Sequence, residues 1–352
     1  MSPRHPSKSI SPRHDGSRIE PVIDDLPKSL APDEVLIKIH AVALNFRDVG
    51  MLKASKFSAP LAQGVPCCDC AAEVLSIGGS VMEFQVGDRM APIFDLGYIT
   101  GEENLDQTCA LGGETDGVLR EYAVFPEKVL VRIPDYCSWE EAATITCAGT
   151  TAWNALGLAR AGGGPVVKTA LLPGTGGVSL FALLICLAAG VTPIITSSSK
   201  KLERIKKLAP DGVIKTVNYT KHPNCAQEVK RLTEDKGADV VIDVGGHVSI
   251  EESFNAVRTR GTVSMVGFLG KPTERSETPD LVIPILLKKA TVRGIYVGSR
   301  KDQQALMDFL SEHRLPLHTL VDTVFRFEDS EAAFKHLLSK RHVGKVLIKV
   351  AA

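Results

Sequence analysis

The chain contains no excess of either charge, no apolar run long enough to cross a bilayer and no second Cys-x-x-Cys beside the single one at Cys67–Cys70, so it lacks the paired motifs that frame a structural zinc. Each absence removes a class of protein. Lys plus Arg equals Asp plus Glu at 41 each, so there is no global basic field, which argues against a dedicated nucleic-acid binder. The longest apolar stretch, Val178–Gly190, falls short of the roughly 20 residues of a transmembrane helix and reads as a buried helix. The N-terminal segment MSPRHPSKSISPRHDGSR is basic, rich in Ser and Pro and without an apolar h-region, so it is not expected to act as a secretory signal. Residues 1–18 are therefore expected to be a disordered tail, with a transit peptide as the alternative that Pro and an early Asp disfavour. Eight cysteines are scattered, three of them bunched at Cys67, Cys68 and Cys70. Without a secretory signal, reduced thiols and a cytoplasmic location are expected. The partner expected is a small-molecule substrate, with no nucleic acid and no membrane, and a homodimer is left open.

What is present is enough for two domains: 352 residues, 44% apolar and 23% charged, as in globular proteins with ample cores. Val35–Ala43 alternates as a half-buried strand, as do Leu119–Phe125 and Val129–Ile133, with Pro126 between them. Trp139–Arg160 has a helical pattern. Strands are then expected at Thr169–Leu172, Pro193–Thr196, Val213–Thr216, Val240–Val244, Thr262–Val266 and Thr291–Val297. Helices between them are expected at Val178–Ala189, Lys200–Leu208, Cys225–Asp235 and Ile250–Val257. Such alternation predicts an α/β fold with a six-stranded parallel Rossmann sheet. The stretch from Gln303 adds a helix, a strand near Val321–Arg326, a helix near Ser330–Leu338 and a strand Lys345–Val350, and is expected to complete the first domain.

The most telling segment is ALLPGTGGVS, Ala170–Ser179, in the order strand, tight turn, helix. Gly174 can take the turn's backbone angles, and Gly176 and Gly177 carry no side chain to hold a phosphate away. With Thr175 between them, the helix from Val178 aims its free N–H groups at a pyrophosphate. Ser179 stands where the third glycine of GxGxxG belongs, and an ordinary glycine turn is the alternative. The second strand, PIIT, runs into Ser197, Ser198, Ser199, Lys200 and Lys201, with no carboxylate before Glu203. Hydroxyls and a lysine suit a 2′-phosphate, so Ser197 and Lys200 point to NADPH rather than NADH, unless the serines serve only as a helix cap. Tyr219 either flanks the adenine or that phosphate, or simply packs.

The order of these motifs resembles the medium-chain dehydrogenase/reductase superfamily from about Asp33 to Val350, and within it the zinc-less alcohol dehydrogenase-like and quinone oxidoreductase-like branch. The stretches carrying the likeness are DEVLIKIHAVALNFRDVGML, GGSVMEFQVGDRM, GGETDGVLREYAVFPEKVLVRIPD, CAGTTAWNAL and the glycine loop, with RGIYVGSR and HVGKVLIKV toward the C-terminus. The resemblance implies a GroES-like β-barrel catalytic domain over 19–137 and 299–352, a Rossmann domain over 138–298, and a cofactor between them. It implies further that Thr151 packs against the nicotinamide, and that the turns around Gly245, Gly267–Phe268 and Val297–Gly298 line its riboside. Two of the family's usual glycines are here Cys70 and Ala72.

Zinc-dependent members hold a catalytic metal with a cysteine, a histidine beside a glutamate, and another cysteine or aspartate. Here Asn45 stands at the first position, Cys68–Asp69 replace the pair, and Cys147 takes the last. Gly97–Leu119 holds only Cys109, so the four-cysteine lobe of a structural zinc is missing. No metal is expected. The activity expected is hydride transfer from NADPH to an activated C=C or carbonyl, an enone or quinone, with Asn45 and Arg47 as donors to the developing oxyanion. The alternatives are a zinc-type alcohol dehydrogenase and a non-redox protein that retains NADPH.

Overall fold

A computed structural model describes residues 8–14, 19–52, 63–104, 108–158, 167–267 and 281–350. The chain forms two compact units, Met1–Thr150 with Gly298–Ala352, and Thr151–Val297.

In the first unit, β1 (Lys8–His14) and β2 (Ile19–Asp25) pair antiparallel. Lys8–His14 is thus a strand where a disordered tail was expected. The anchor is Ser9, whose hydroxyl is buried and accepts from the Tyr122 N–H at 3.1 Å. The unit's larger sheet contains β3 (Glu34–Ala43), β4 (Asp69–Ile77), β5 (Arg89–Pro92), β6 (Tyr122–Pro126) and β7 (Leu130–Arg132), joined by the returning β14 (Val321–Arg326) and β15 (Lys345–Lys349). Its order is β14-β15-β3-β4-β5-β7, with β6 paired to the first half of β3 and β15 to the last residues of β3. The returning segment therefore completes this unit, but among the described residues the ladder does not close into the expected barrel: β14 pairs with β15 and β7 with β5. Gly344 controls the entry to β15. Its φ is +94°, and a Cβ there would lie 2.2 Å from the Leu320 carbonyl oxygen, so the turn that carries Lys345 inward requires glycine.

Helix α1 (Phe46–Met51) follows β3. Helix α2 (Trp139–Ala143) opens on a capping box, in which Ser138 Oγ accepts from Glu141 N–H and Glu141 Oε2 accepts from Ser138 N–H. The expected single helix Trp139–Arg160 is in fact α2, a π-helical segment Ile145–Gly149, and α3 (Thr150–Leu156), while Arg160 lies outside the described residues. Helices α9 (Arg300–His313) and α10 (Ser330–Leu338) belong to the returning segment, and α10 has the limits expected of it.

The second unit alternates β8 (Thr169–Pro173), α4 (Gly177–Ala188), β9 (Thr192–Ser197), α5 (Ser199–Lys206), β10 (Lys215–Asn218), α6 (Cys225–Leu232), β11 (Ala238–Asp243), α7 (Ile250–Ala256), β12 (Val257–Met265), α8 (Val282–Lys288) and β13 (Thr291–Gly294). All six strands are parallel, in the order β10-β9-β8-β11-β12-β13. Leu171, Ile194, Val217, Val241 and Val263, one from each of five strands, form a continuous apolar layer under Val229 and Phe254. Helix α4 is buried from Ser179 to Cys186, which is why its sequence is apolar all round rather than on one stripe. The last strand ends at Gly294, earlier than expected. Beyond it, Val297 adopts φ +53°, a left-handed conformation rare for a β-branched residue.

Candidate functional site

The first unit gathers one buried polar cluster around Asp69, the first residue of β4. The carboxylate is fully buried and all its acceptor positions are engaged. Oδ1 accepts from the Cys147 N–H at 2.8 Å and the Cys68 thiol at 3.6 Å. Oδ2 accepts from Asn45 Nδ2 at 2.9 Å and from Lys345 Nζ at 3.0 Å. The π-helical segment explains the first of these bonds. A local i→i+5 register releases an N–H that a regular helix would spend on its own ladder, and that N–H goes to Asp69.

Lys345 is itself buried, 2% exposed, and also donates to Asn45 Oδ1 at 2.6 Å. The lysine has only donors and the carboxylate only acceptors, so the orientation of the Asn45 amide between them is fixed. The second Nδ2 hydrogen points to Cys68 Sγ at 3.5 Å, a weak acceptor. Burial is the largest single influence on Lys345 and would lower its pKa, but the Asp69 carboxylate together with the nearby Cys147 and Cys68 sulfurs holds the group above the ordinary lysine value. Burial likewise pushes the Cys68 thiol well up.

Next to this cluster, Arg47 donates to the Leu111 carbonyl at 2.9 Å and lies over the Phe94 ring. Asp48 accepts the Asn45 N–H at 2.7 Å and so ties the turn to its own backbone. It is completely buried, and burial pushes its pKa up to about 6 against the opposing pull of Arg47. Cys67, buried two residues before β4, takes φ +73°, an uncommon conformation for a residue with a Cβ.

Several of the expected cofactor residues lie at the carboxyl ends of the second unit's parallel strands. Gly174, at φ +81°, follows β8, and a Cβ built on Gly174 or Gly176 would meet nothing within 4 Å. Gly176 is the N-cap of α4 and carries no side chain to satisfy the first-turn N–H groups. The loop, with Thr175 buried and Gly177 and Val178 half-buried, is thus an open cradle at a helix N-terminus, which fits a pyrophosphate. Ser179, which departs from the glycine fingerprint, donates to the Pro173 carbonyl at 2.7 Å and clamps the helix to the end of β8. Ser197 ends β9 and is buried, Lys200 is exposed in the first turn of α5, and Ser198 is the helix N-cap. Tyr219 follows β10, half exposed. Gly245 follows β11, where a Cβ would strike Ser249 Oγ at 2.4 Å, and Gly267 follows β12. Thr151 is buried in α3, and Val297 accepts from Asn154 Nδ2 at 3.2 Å. Gly298 belongs to the first unit, where a Cβ would meet Thr150 at 2.8 Å, and Phe268 lies outside the described residues.

Residues 31–135 match the family model of the alcohol dehydrogenase GroES-like domain, and residues 177–312 that of the zinc-binding dehydrogenase. A zinc-type alcohol dehydrogenase-like protein of Schizosaccharomyces pombe is 36% identical over 339 residues, 95% of each chain. A quinone oxidoreductase of Pseudomonas aeruginosa is 28% identical over 338 residues, 92% of this chain and 94% of its own. The crystal structure of an alcohol dehydrogenase candidate from Sinorhizobium meliloti 1021 superposes with a TM-score of 0.86 at 30% identity, covering 99% of this chain and 100% of that one. The chain belongs to the medium-chain dehydrogenase/reductase superfamily, oxidoreductases that bind a nicotinamide cofactor.

Relatives named for zinc raise the question of a metal. Ligand atoms of Cys68, Asp69 and Cys147 lie within 4.8 Å of one another, the one such cluster among the described residues. The donor set does not fit a catalytic zinc, which needs three free protein ligands and an open position. Asp69 has no lone pair to spare, Asn45 is a neutral amide already bound on both ends, and an ammonium sits 3.0 Å from the carboxylate. Only the two thiols remain.

Lys345 is the member of this cluster that pattern reading passes over. Its signal is present, however: a lone charge at the head of KVLIK, directly after a glycine, on a strand otherwise buried up to Lys349.

The high pKa of Asp48 has a consequence for stability. Its folded value lies above the ordinary carboxyl value of 3.8, so the folded chain holds the proton more tightly than the unfolded one. This contribution is complete below about pH 4 and is lost as pH rises through about 6. Asp48→Asn keeps an oxygen for the Asn45 N–H and removes the charge. Its unfolding temperature relative to the parent should therefore rise between about pH 4 and about pH 7.5, as read by thermal denaturation across pH. An identical offset at both ends would show that Asp48 does not titrate in this range.

Proposed function

We propose that the protein is an NADPH-dependent oxidoreductase that works without a metal and transfers hydride to an activated C=C or carbonyl, of the enone or quinone kind. The observation that carries it is the Asp69 cluster, in which the carboxylate among the would-be metal ligands is engaged by Lys345 and Asn45. When bound, the nicotinamide supplies the hydride. The chain's own residues do the rest. The loop Gly174, Thr175, Gly176, Gly177 and Val178 holds the pyrophosphate, while Ser197 and Lys200 take the 2′-phosphate with Tyr219 beside the adenosine. Thr151 packs against the nicotinamide, and the turns at Gly245, Gly267–Phe268 and Val297–Gly298 line its riboside. Asn45 and Arg47 steady the oxygen that gains charge. For Asn45, this uses the hydrogen now shared with Cys68 Sγ, which a developing oxyanion would outcompete. Lys345 on Oδ1 holds the amide in place for it. A conjugated acceptor suits such a site because it spreads the new charge over its own atoms, whereas a simple alcohol needs a Lewis acid to lower its pKa. All eight cysteines are free thiols, in keeping with a reducing compartment such as the cytoplasm.

A homodimer belongs to the same proposal. β13 is the outer strand of the parallel sheet, and α8, packed on β12, exposes Val282, Ile283, Leu286 and Leu287. A second copy would cover that edge and face. Sedimentation should give twice the chain mass for the parent and a shift to monomer for Leu287→Glu. A parent that sediments as a monomer at micromolar concentration refutes it.

Cofactor choice is tested at Lys200. A hydrogen bond to a charged group is worth roughly 1.5–3 kcal/mol, so Lys200→Ala should weaken NADPH binding about 10- to 100-fold and leave NADH nearly unchanged. Equal losses for the two nucleotides would remove the assignment.

Reaction class is tested with a substrate panel. Enones or quinones should consume NADPH, and ethanol-like alcohols with NADP should turn over poorly. Asn45→Ala should lower kcat on the order of 100-fold with a smaller effect on KM, because the donor acts on charge that develops only in the transition state. Faster turnover of alcohols would favour the zinc-type reading, and tight NADPH binding with no turnover would favour a non-redox role.

A further inference from the structure

Two thiols and a carboxylate within 4.8 Å of one another are the ligand types of a soft divalent cation; Cys68 and Asp69 are buried and Cys147 is half-buried. The pocket they form already contains a cation. The Lys345 ammonium reaches the pocket from β15, bonded to Asp69 Oδ2 at 3.0 Å and Asn45 Oδ1 at 2.6 Å. Gly344 makes that approach possible, since the backbone there passes too close to the Leu320 carbonyl for any side chain. The lysine both occupies space beside the ligand atoms and consumes one of Asp69's oxygens.

We infer that Lys345 is a built-in replacement for a metal ion: its ammonium is the permanent cation of the Cys68–Asp69–Cys147 pocket, it excludes divalent metals from that pocket, and its removal uncovers a three-ligand metal site. The inference deepens the metal-free function proposed above and rests on it. A metal ion and the ammonium would have to share one carboxylate at a few ångströms, and repulsion between charges that close inside a protein is worth powers of ten in affinity. With the lysine gone, Asp69 Oδ2 regains a free lone pair on a carboxylate whose ligand atoms and those of Cys68 and Cys147 lie within 4.8 Å of one another. Cys68 and Cys147 can then ionise onto the metal, each giving its proton to solvent.

The test uses the full chain and Co(II) alone as probe, since a thiolate-bound cobalt absorbs in the near ultraviolet. The parent should show no such band with stoichiometric Co(II) and should contain no stoichiometric zinc by elemental analysis. Lys345→Met should bind one Co(II) per chain about 100-fold or more tightly than the parent, with the thiolate band. Adding Cys147→Ser to that variant should abolish the band. Lys345→Arg, which keeps the charge, should stay free of cobalt. Removing the lysine strips a buried carboxylate of its partner, so Lys345→Gln, which retains an N–H donor for Asp69, serves as a second variant. A rise in its unfolding temperature on adding Co(II), absent in the parent, counts with the band. If the parent itself binds a metal at Cys68 and Cys147, both the inference and the metal-free function fall. If the parent is metal-free but Lys345→Met and Lys345→Gln gain neither band nor thermal shift, the inference alone falls.

Discussion

One buried carboxylate sets the terms for the first unit. Asp69 has no contact with solvent, and an isolated charge in that position would be prohibitively costly. It is tolerated because four groups converge on it: an ammonium, an amide, a thiol and a main-chain N–H. Much of the surrounding structure serves that convergence. The π-helical segment frees the Cys147 N–H, Gly344 lets β15 approach, and the pairing of β15 with the end of β3 brings Lys345 to Asn45. Taking one partner away from such a buried pair typically costs about 3–5 kcal/mol, more than most single contacts in a core. Its retention in a site lined by polar side chains fits a role in function better than one in stability, because an apolar pair of the same volume would hold the sheet as well.

The second unit solves a different electrostatic problem. It offers partial positive charge without committing a side chain. Gly174 and Gly176 leave open space, and the uncapped first turn of α4 leaves N–H groups to be satisfied from outside. The departure from the glycine fingerprint is informative here. In place of a third glycine, Ser179 bonds its hydroxyl to the Pro173 carbonyl, so close helix–strand contact is kept by a hydrogen bond instead of by a missing Cβ.

The parallel sheet was legible in the sequence because its strands are short apolar runs bounded by glycine turns and separated by helices. The matching limits of Ser330–Leu338 show the same pattern at work. What escaped was determined at longer range. The break of Trp139–Arg160 at Ile145–Gly149 depends on a hydrogen bond to Asp69, far away in sequence, which local periodicity cannot register. The strand Lys8–His14 reads as a polar tail because its pairing with Ile19–Asp25 and the bond between Tyr122 and the Ser9 hydroxyl are contacts that composition does not register. The barrel expected from the family resemblance depended on closure, a property of pairing and not of pattern. At the candidate site, Asn45, Arg47, Cys68, Asp69 and Cys147 stood out through their places in recognisable motifs. Lys345 did not, because a lysine at a strand end is ordinarily solvated.

The order of the chain gives the cluster a history. Asn45, Asp69 and Cys147 are made before the entire second unit, whereas Lys345 follows it, 276 residues beyond the carboxylate it neutralises. During synthesis the second unit, whose strands pair mostly with near neighbours, can fold while the first still lacks its last two strands. Until β15 arrives, Asp69 has no cationic partner and two thiols lie beside it in an unfinished sheet. The strand that completes the first unit's sheet is thus also the one that delivers the positive charge to its buried carboxylate.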